Sequence, residues 1–185
     1  MRVSREKMAE NRQRILAEAA RLFREKGVDA VSVAEIMQAA GLTHGGFYGH
    51  FRSKDELVCK TMEQMTDQEE TYPSFEEFTK HYLSCEHRDN AGEGCATAAL
   101  GLEFRHQTQE ARAELTRVIE TQLARLTDAL AKEQGEETDP AQVRREAIAT
   151  WSAMVGALIL ARAVNDTSLS QEFLESTRDW IMRKD

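Results

Sequence analysis

The stretch Val31-Ser32-Val33-Ala34-Glu35-Ile36-Met37-Gln38-Ala39-Ala40-Gly41-Leu42-Thr43-His44-Gly45-Gly46-Phe47-Tyr48-Gly49-His50-Phe51 decides how the chain is read. Ser32 can cap the amide of Glu35 while the Glu35 carboxylate reaches back to the Ser32 amide, with Val31 and Ile36 as the hydrophobic staple. This predicts a helix over about 33–40 that stops at Gly41. A turn, Gly41-Leu42-Thr43, then leads into a short helix over about 44–50 with Thr43 as its cap. A capped helix, a glycine turn and a short second helix follow the helix–turn–helix plan, in which the second helix enters a major groove of DNA. Phe47 and Phe51 lie four apart and can anchor that helix, which turns Thr43, His44, Tyr48 and His50 outward. Those side chains can donate to phosphates or base edges, and Lys54 adds a cation. The helix starts at Ser32 and Ser53 offer amides to phosphate oxygens.

Outward from this stretch the pattern is all helix. Only two prolines occur, Pro73 and Pro140, and apolar residues recur every three or four positions without sustained alternation. Ile15, Ala19, Leu22 and Phe23 make the stripe of a helix over about 5–26, closed by Gly27. Ser53-Lys54-Asp55-Glu56 is a second capping box, opening a helix with Leu57, Val58, Met62 and Met65 inside. Ser74-Phe75-Glu76-Glu77 opens another with Phe75, Phe78, Tyr82 and Leu83. Residues 86–94 read as a loop. Helices follow at about 96–106, 109–133 and 140–165, the last started by Asp139-Pro140, and at about 171–183 with Ser170 as cap.

Charge divides the chain. Of 24 Lys and Arg against 32 Asp and Glu, the first 54 residues hold 10 against 6, and the remainder 14 against 26. A net −8 therefore conceals a positive segment, residues 1–54, that can meet a polyanion and a negative one, residues 55–185, that repels it. The longest apolar stretch, Ala153 to Ala161, falls well short of about 18 residues, which argues against a membrane span. The N-terminus, from Met1 to Lys7, is basic but lacks a secretory apolar core, and three cysteines are no disulfide framework; both suit the cytoplasm.

The run Gly41 to Leu57, preceded by Ile15-Leu16-Ala17-Glu18-Ala19-Ala20-Arg21-Leu22-Phe23 and Val33-Ala34-Glu35-Ile36, resembles the TetR/AcrR family of bacterial transcriptional regulators. The resemblance implies an all-α protein with an N-terminal three-helix DNA-binding domain (1–54) and a C-terminal helical ligand-binding and dimerisation domain (55–185). It also implies a homodimer that binds a palindromic double-stranded DNA operator as a repressor and is released by a small-molecule effector. Tyr48, His50 and Lys54 fall at the family's phosphate-contacting positions, and Thr43, His44 and Gly45 at the base edges; Ser32 joins them at its helix start. The sequence departs from a good helix in carrying Gly45, Gly46 and Gly49 in the recognition segment, each costing about 1 kcal/mol relative to Ala. Either Gly46 and Gly49 permit close packing of short helices, or the missing side chains let the backbone approach DNA.

Beyond residue 54 the reading rests on residue chemistry. The stretch from Tyr82 to Leu100 looks like a segment shared by one TetR subgroup. There His81, Cys85, His87 and Cys95 offer N and S ligands without a zinc-site spacing. Cys85 and Cys95 are alternatively a thiol or electrophile sensor, or the loop is structural, with Arg88 and Asp89 tying helix ends. Met62, Phe78, Phe104, Leu123, Trp151 and Met154 are candidates for the ligand pocket. Trp151, Val155, Leu158, Ile159 and Trp180 are candidates for a dimer interface built from two helices per protomer. No catalytic residue, cofactor or metal is assigned: Gly92-Glu93-Gly94 is too short for a dinucleotide fingerprint, no Ser/His/Asp pattern stands out, and Cys85 with His87 is the only candidate pair for an enzyme. A helical interaction protein without DNA binding is the alternative from another class.

Overall fold

The computed structural model describes residues 5–66, 72–135 and 138–183; the basic start Met1–Ser4 lies outside them. Among the described residues every regular element is helical. The chain divides into two compact units, Met1–Gln68 with Ala99–Val118, and Glu69–Ala98 with Ile119–Asp185. The boundary expected at residue 54 is not where the chain divides by packing: the helix that follows it goes with the helix–turn–helix.

In the first unit α1 (Arg5–Lys26) packs on α2 (Val33–Ala39) and α3 (Lys54–Thr66). The α1 stripe is buried as its spacing requires: Ile15, Leu16, Ala19, Leu22 and Phe23. Gly27, at φ +87°, ends the helix, its amide donating to Phe23 O at 2.8 Å. Ser32 caps α2 through the Glu35 amide at 3.1 Å. At the other end Gly41 (φ +66°) donates to Gln38 O and Leu42 to Met37 O, a Schellman closure that only a residue at ease with positive φ supports. Ser53 caps α3 at the Glu56 amide, 3.0 Å, while Glu56 accepts from the Arg52 amide at 2.7 Å.

Between α2 and α3 the recognition segment is a 3-10 helix, His44–Gly49, rather than an α-helix. Three glycines in six residues account for this, since each weakens the α-helical alternative while Phe47 and Phe51 hold the segment down. Thr43 occupies the cap position with extended backbone, but its side chain makes no capping bond.

The second unit contains α4 (Phe75–Tyr82), α5 (Cys85–Asp89), most of α6 (Ala96–Leu100), the later turns of α7 (Gln109–Gln134), α8 (Pro140–Ala163) and α9 (Thr167–Ile181). Its core joins Phe75, Tyr82 and Leu83 to Leu126, Leu130, Val143, Trp151, Met154, Leu158 and Leu174. By length and composition α8 is apolar enough to cross a bilayer, but here it buries one face in this core and pairs with α9.

Three expectations are corrected. Residues 86–94 are not a simple loop: Ser84 caps α5 at the His87 amide (3.1 Å), and Ala91–Glu93 form a 3-10 turn. The predicted helix over 96–106 breaks at Gly101, a poor helix former, into α6 and a 3-10 turn, Glu103–His106. And α9 starts at Thr167, capped by Asp166 at the Leu169 amide (2.9 Å), rather than after Ser170. Ser170 is instead buried, donating to Ala161 O at 2.6 Å and accepting from Arg88 at 3.0 Å.

Candidate nucleic-acid interface and effector cavity

Phe47 and Phe51 are each 1% exposed and stack at 5.7 Å between centroids. Burying a side chain of that size contributes about 1.5–3 kcal/mol, which is what holds a glycine-rich turn in place. Tyr48 stands edge-on to Phe47 at 5.3 Å with 71% of its surface exposed. Ser32, Thr43, His44 and Gly45 are exposed beside it, while His50 and Lys54 are partly covered. Cβ atoms added at Gly45 or Gly49 would meet nothing within 4 Å, and one at Gly46 would make ordinary contact with Met37 at 3.6 Å. Close packing within the chain therefore does not require glycine at 49, nor strictly at 46. The outer surface of this turn is smooth backbone flanked by Thr43, His44 and Tyr48.

Arg12 was not foreseen as part of this region. Its guanidinium lies 4.2 Å over the Phe51 ring and donates to His50 O at 2.7 Å, joining α1 to the end of the recognition turn. No local sequence signal marks a bond across 38 positions. Burial first, and then the Arg12 charge, hold the His50 imidazole below its ordinary value, so at neutral pH it is uncharged.

A second unforeseen residue is Glu103. Its carboxylate accepts from the Val28 amide at 2.9 Å and the Asp29 amide at 2.7 Å, at the corner between α1 and α2. Gln107 adds a bond to Asp29 at 3.0 Å. A Cβ on Gly27 would lie 2.9 Å from the Glu103 carboxylate, so this glycine serves both the backbone turn and the clamp.

In the second unit a cavity of about 530 Å³ opens between the start of α4 and the later turns of α7, lined by Tyr72, Phe75, Phe78, Gln122, Arg125 and Leu126 among others. Of the pocket residues expected from sequence, Phe78 lines it. Leu123, Trp151 and Met154 belong to the core behind, with Trp151 stacked on Phe78 at 6.5 Å. Met62 and Phe104 are buried in the first unit. Of the candidate dimer residues, Trp151 and Leu158 are taken up by the chain's own core, Val155 is partly covered, and Ile159 and Trp180 are 44% and 56% exposed.

His87 ties the segment from Tyr82 to Cys95 together. Its Nδ1 faces Tyr82 O at 2.7 Å and its Nε2 accepts from the Cys95 amide at 3.0 Å, which fixes the Nδ1–H tautomer. Arg162 donates to the carbonyls of His87 and Arg88 at 2.7 and 3.0 Å. A Cβ on Gly94 would lie 2.7 Å from the imidazole. With both ring nitrogens engaged His87 is no zinc ligand here, and among the described residues no three His, Cys, Asp or Glu side chains gather as a metal site. Cys85 is exposed; Cys95 is partly buried and its Sγ accepts from the Ala98 amide at 3.4 Å. Burial and the carboxylates of Glu114 and Glu110 push the Cys59 thiol up, which lowers its thiolate fraction.

The comparisons with known proteins agree with this geometry. Residues 15–59 match the family model described as bacterial regulatory proteins, tetR family, and residues 72–177 match a tetracyclin repressor-like C-terminal domain. The chain is 42% identical over 62 residues to the HTH-type transcriptional regulator AcrR of Shigella flexneri, covering 34% of this chain and 29% of that one. It is 34% identical over 59 residues to the HTH-type transcriptional repressor KstR2 of Mycolicibacterium smegmatis, covering 32% and 29%. These alignments thus span under a third of either relative's length. In fold, a TetR-family regulator from Agrobacterium tumefaciens superposes with a TM-score of 0.75 at 22% identity, over 95% of this chain and all of that one. The two family models together cover the helix–turn–helix and most of the helices beyond it, and the chain therefore belongs to the tetR family of bacterial transcriptional regulators.

Proposed function

We propose that this regulator is a cytoplasmic repressor that binds a palindromic operator as a homodimer and is released by a small effector. The observation that carries the reading is the recognition turn: Phe47 and Phe51 are buried while Thr43, His44 and Tyr48 stand exposed on a glycine-smooth surface. Tyr48, His50 and Lys54 hold phosphates; Thr43, His44 and the Gly45 backbone meet base edges; the α2 start at Ser32 presents amides to the backbone. One short turn reads few bases, so useful specificity needs two copies. The exposed Ile148, Ile159 and Leu160 on α8 and Trp180 on α9 supply an apolar surface for that contact. The relative named a repressor supports the direction of regulation. Glu103 lies just ahead of α7 in the chain and grips the α1–α2 corner, which suits it to pass an effector's influence to the recognition turn.

Selection of bound DNA from a random pool tests this reading. An enriched inverted repeat, shifted in a salt-dependent mobility assay, is expected; a helical interaction protein without DNA binding would enrich nothing. Release by a small molecule that persists in a Cys85→Ser/Cys95→Ser variant separates effector binding from thiol sensing. Release of wild type by peroxide or quinone alone, absent in that variant, would favour the thiol.

A further inference from the structure

We propose that the cavity between α4 and α7 binds an amphipathic organic monoanion, a carboxylate on an aromatic or otherwise apolar body, with Arg125 as its counter-ion. The wall is largely apolar: Phe75, Phe78, Leu126 and Ala129, with Pro73 at its edge. Within it Arg125 is only partly exposed, and its Nη1 is buried without a hydrogen-bond partner among the described residues. A guanidinium nitrogen withdrawn from water and left unbonded is costly, and the cost falls when an acceptor arrives. Among the described residues the other charged groups at the cavity are Asp128, Lys132 and Glu133, all exposed and thus solvated at the rim. Arg125 is therefore the least exposed charge lining the cavity among the described residues.

The anion's class follows from the same residues. Guanidinium presents a planar fork that matches a carboxylate with two parallel bonds. Gln122 stands one helical turn earlier on α7 and adds an amide to the same wall. Asp128 and Glu133, offset by only one cation, Lys132, leave the described rim with a net negative charge that disfavours a dianion such as a phosphate monoester more than a singly charged head. A volume of about 530 Å³ bordered by aromatic rings suits a body of one or two fused rings.

This inference rests on the effector reading for its biological meaning but not for its test. Titrate the full chain at pH 7.5 with 2-naphthoate and with 2-naphthamide, its neutral counterpart, by calorimetry. The naphthoate is expected to bind at least tenfold more tightly. Arg125→Met is expected to remove that preference by weakening naphthoate far more than the amide, and Phe78→Ala to weaken both alike. Equal affinities for the two probes, no binding of either at millimolar concentration, or naphthoate binding unaffected by Arg125→Met would each overturn the proposal. The comparison of probes on wild type stands even if Arg125→Met fails to fold. Operator binding by ligand-free protein is measured separately: its absence would remove the regulator reading and leave the anion site standing.

Discussion

Replacing Glu103 by alanine removes two charge-assisted bonds at the α1–α2 corner, from the Val28 amide at 2.9 Å and the Asp29 amide at 2.7 Å. Hydrogen bonds to charged groups contribute about 1.5–3 kcal/mol each. Asp29 is exposed and water substitutes there at small cost, whereas Val28 is 2% exposed and its amide loses a partner harder to replace. The expected loss is about 2–3 kcal/mol, or a fall in Tm of roughly 5–10 °C for a chain of this size. Urea and thermal unfolding of the full chain measure it. The attribution is checked by a cycle with Gly27→Ala. In wild type that substitution meets both a positive φ of 87° and the Glu103 carboxylate at 2.9 Å; in Glu103→Ala only the backbone strain, about 1–2 kcal/mol, remains. The double variant should therefore be more stable than the sum of the single losses predicts. A loss under about 0.5 kcal/mol for Glu103→Ala, or strict additivity, would refute the clamp.

Tyr48→Phe should weaken binding to all DNA sequences alike with the salt dependence unchanged, because the lost hydroxyl carries no charge, whereas His44→Ala should alter sequence preference; parallel mobility shifts on specific and scrambled duplexes distinguish them. Burial and Arg12 hold the folded His50 below its ordinary value of about 6.5, so the unfolded chain binds this proton first as pH falls. Its contribution is complete above about pH 6.5 and is lost as pH falls from there through the lower folded value, so the stability difference between wild type and His50→Gln should shift against wild type on going from pH 7.5 to 5.5 in urea titrations. Ile159→Asp, on the exposed side of α8, should yield a folded monomer by sedimentation, while Leu158→Asp, fully buried in the core, should destabilise the fold itself by several kcal/mol.

What the sequence made legible is what local chemistry determines. Ser32 with Glu35, Ser53 with Glu56, Ser74 with Glu77 and Asp139 with Pro140 each start a helix where they stand, because both partners in a cap lie within one turn. Where two local signals compete, sequence alone does not rank them: Asp166 and Ser170 are both good caps, and burial of Ser170 against Ala161 decides between them. Ser84 caps α5 in the structure, but from the sequence the glycine- and charge-rich run after it reads as a loop until His87 is seen bonded at both nitrogens. Bonds across the chain, from Glu103 to Val28 or from Arg12 to His50, leave no periodic trace. Helical spacing likewise shows that Phe78, Trp151 and Met154 are inward, but not which of them borders a void. The turn from Leu158 to Ile159 passes from core to surface in one residue, which a pattern averaged over a helix face does not resolve.

The proposed function rests on the turn from Thr43 to His50 reading DNA. Its most direct measurement is selection from a random duplex pool by the full chain, repeated with His44→Ala and Tyr48→Phe. The account predicts an inverted repeat with half-sites centred about 10 bp or a little more apart. His44→Ala should enrich a changed sequence, and Tyr48→Phe the same sequence at lower affinity. No enriched repeat, or a repeat whose sequence and affinity are untouched by both substitutions, would contradict it.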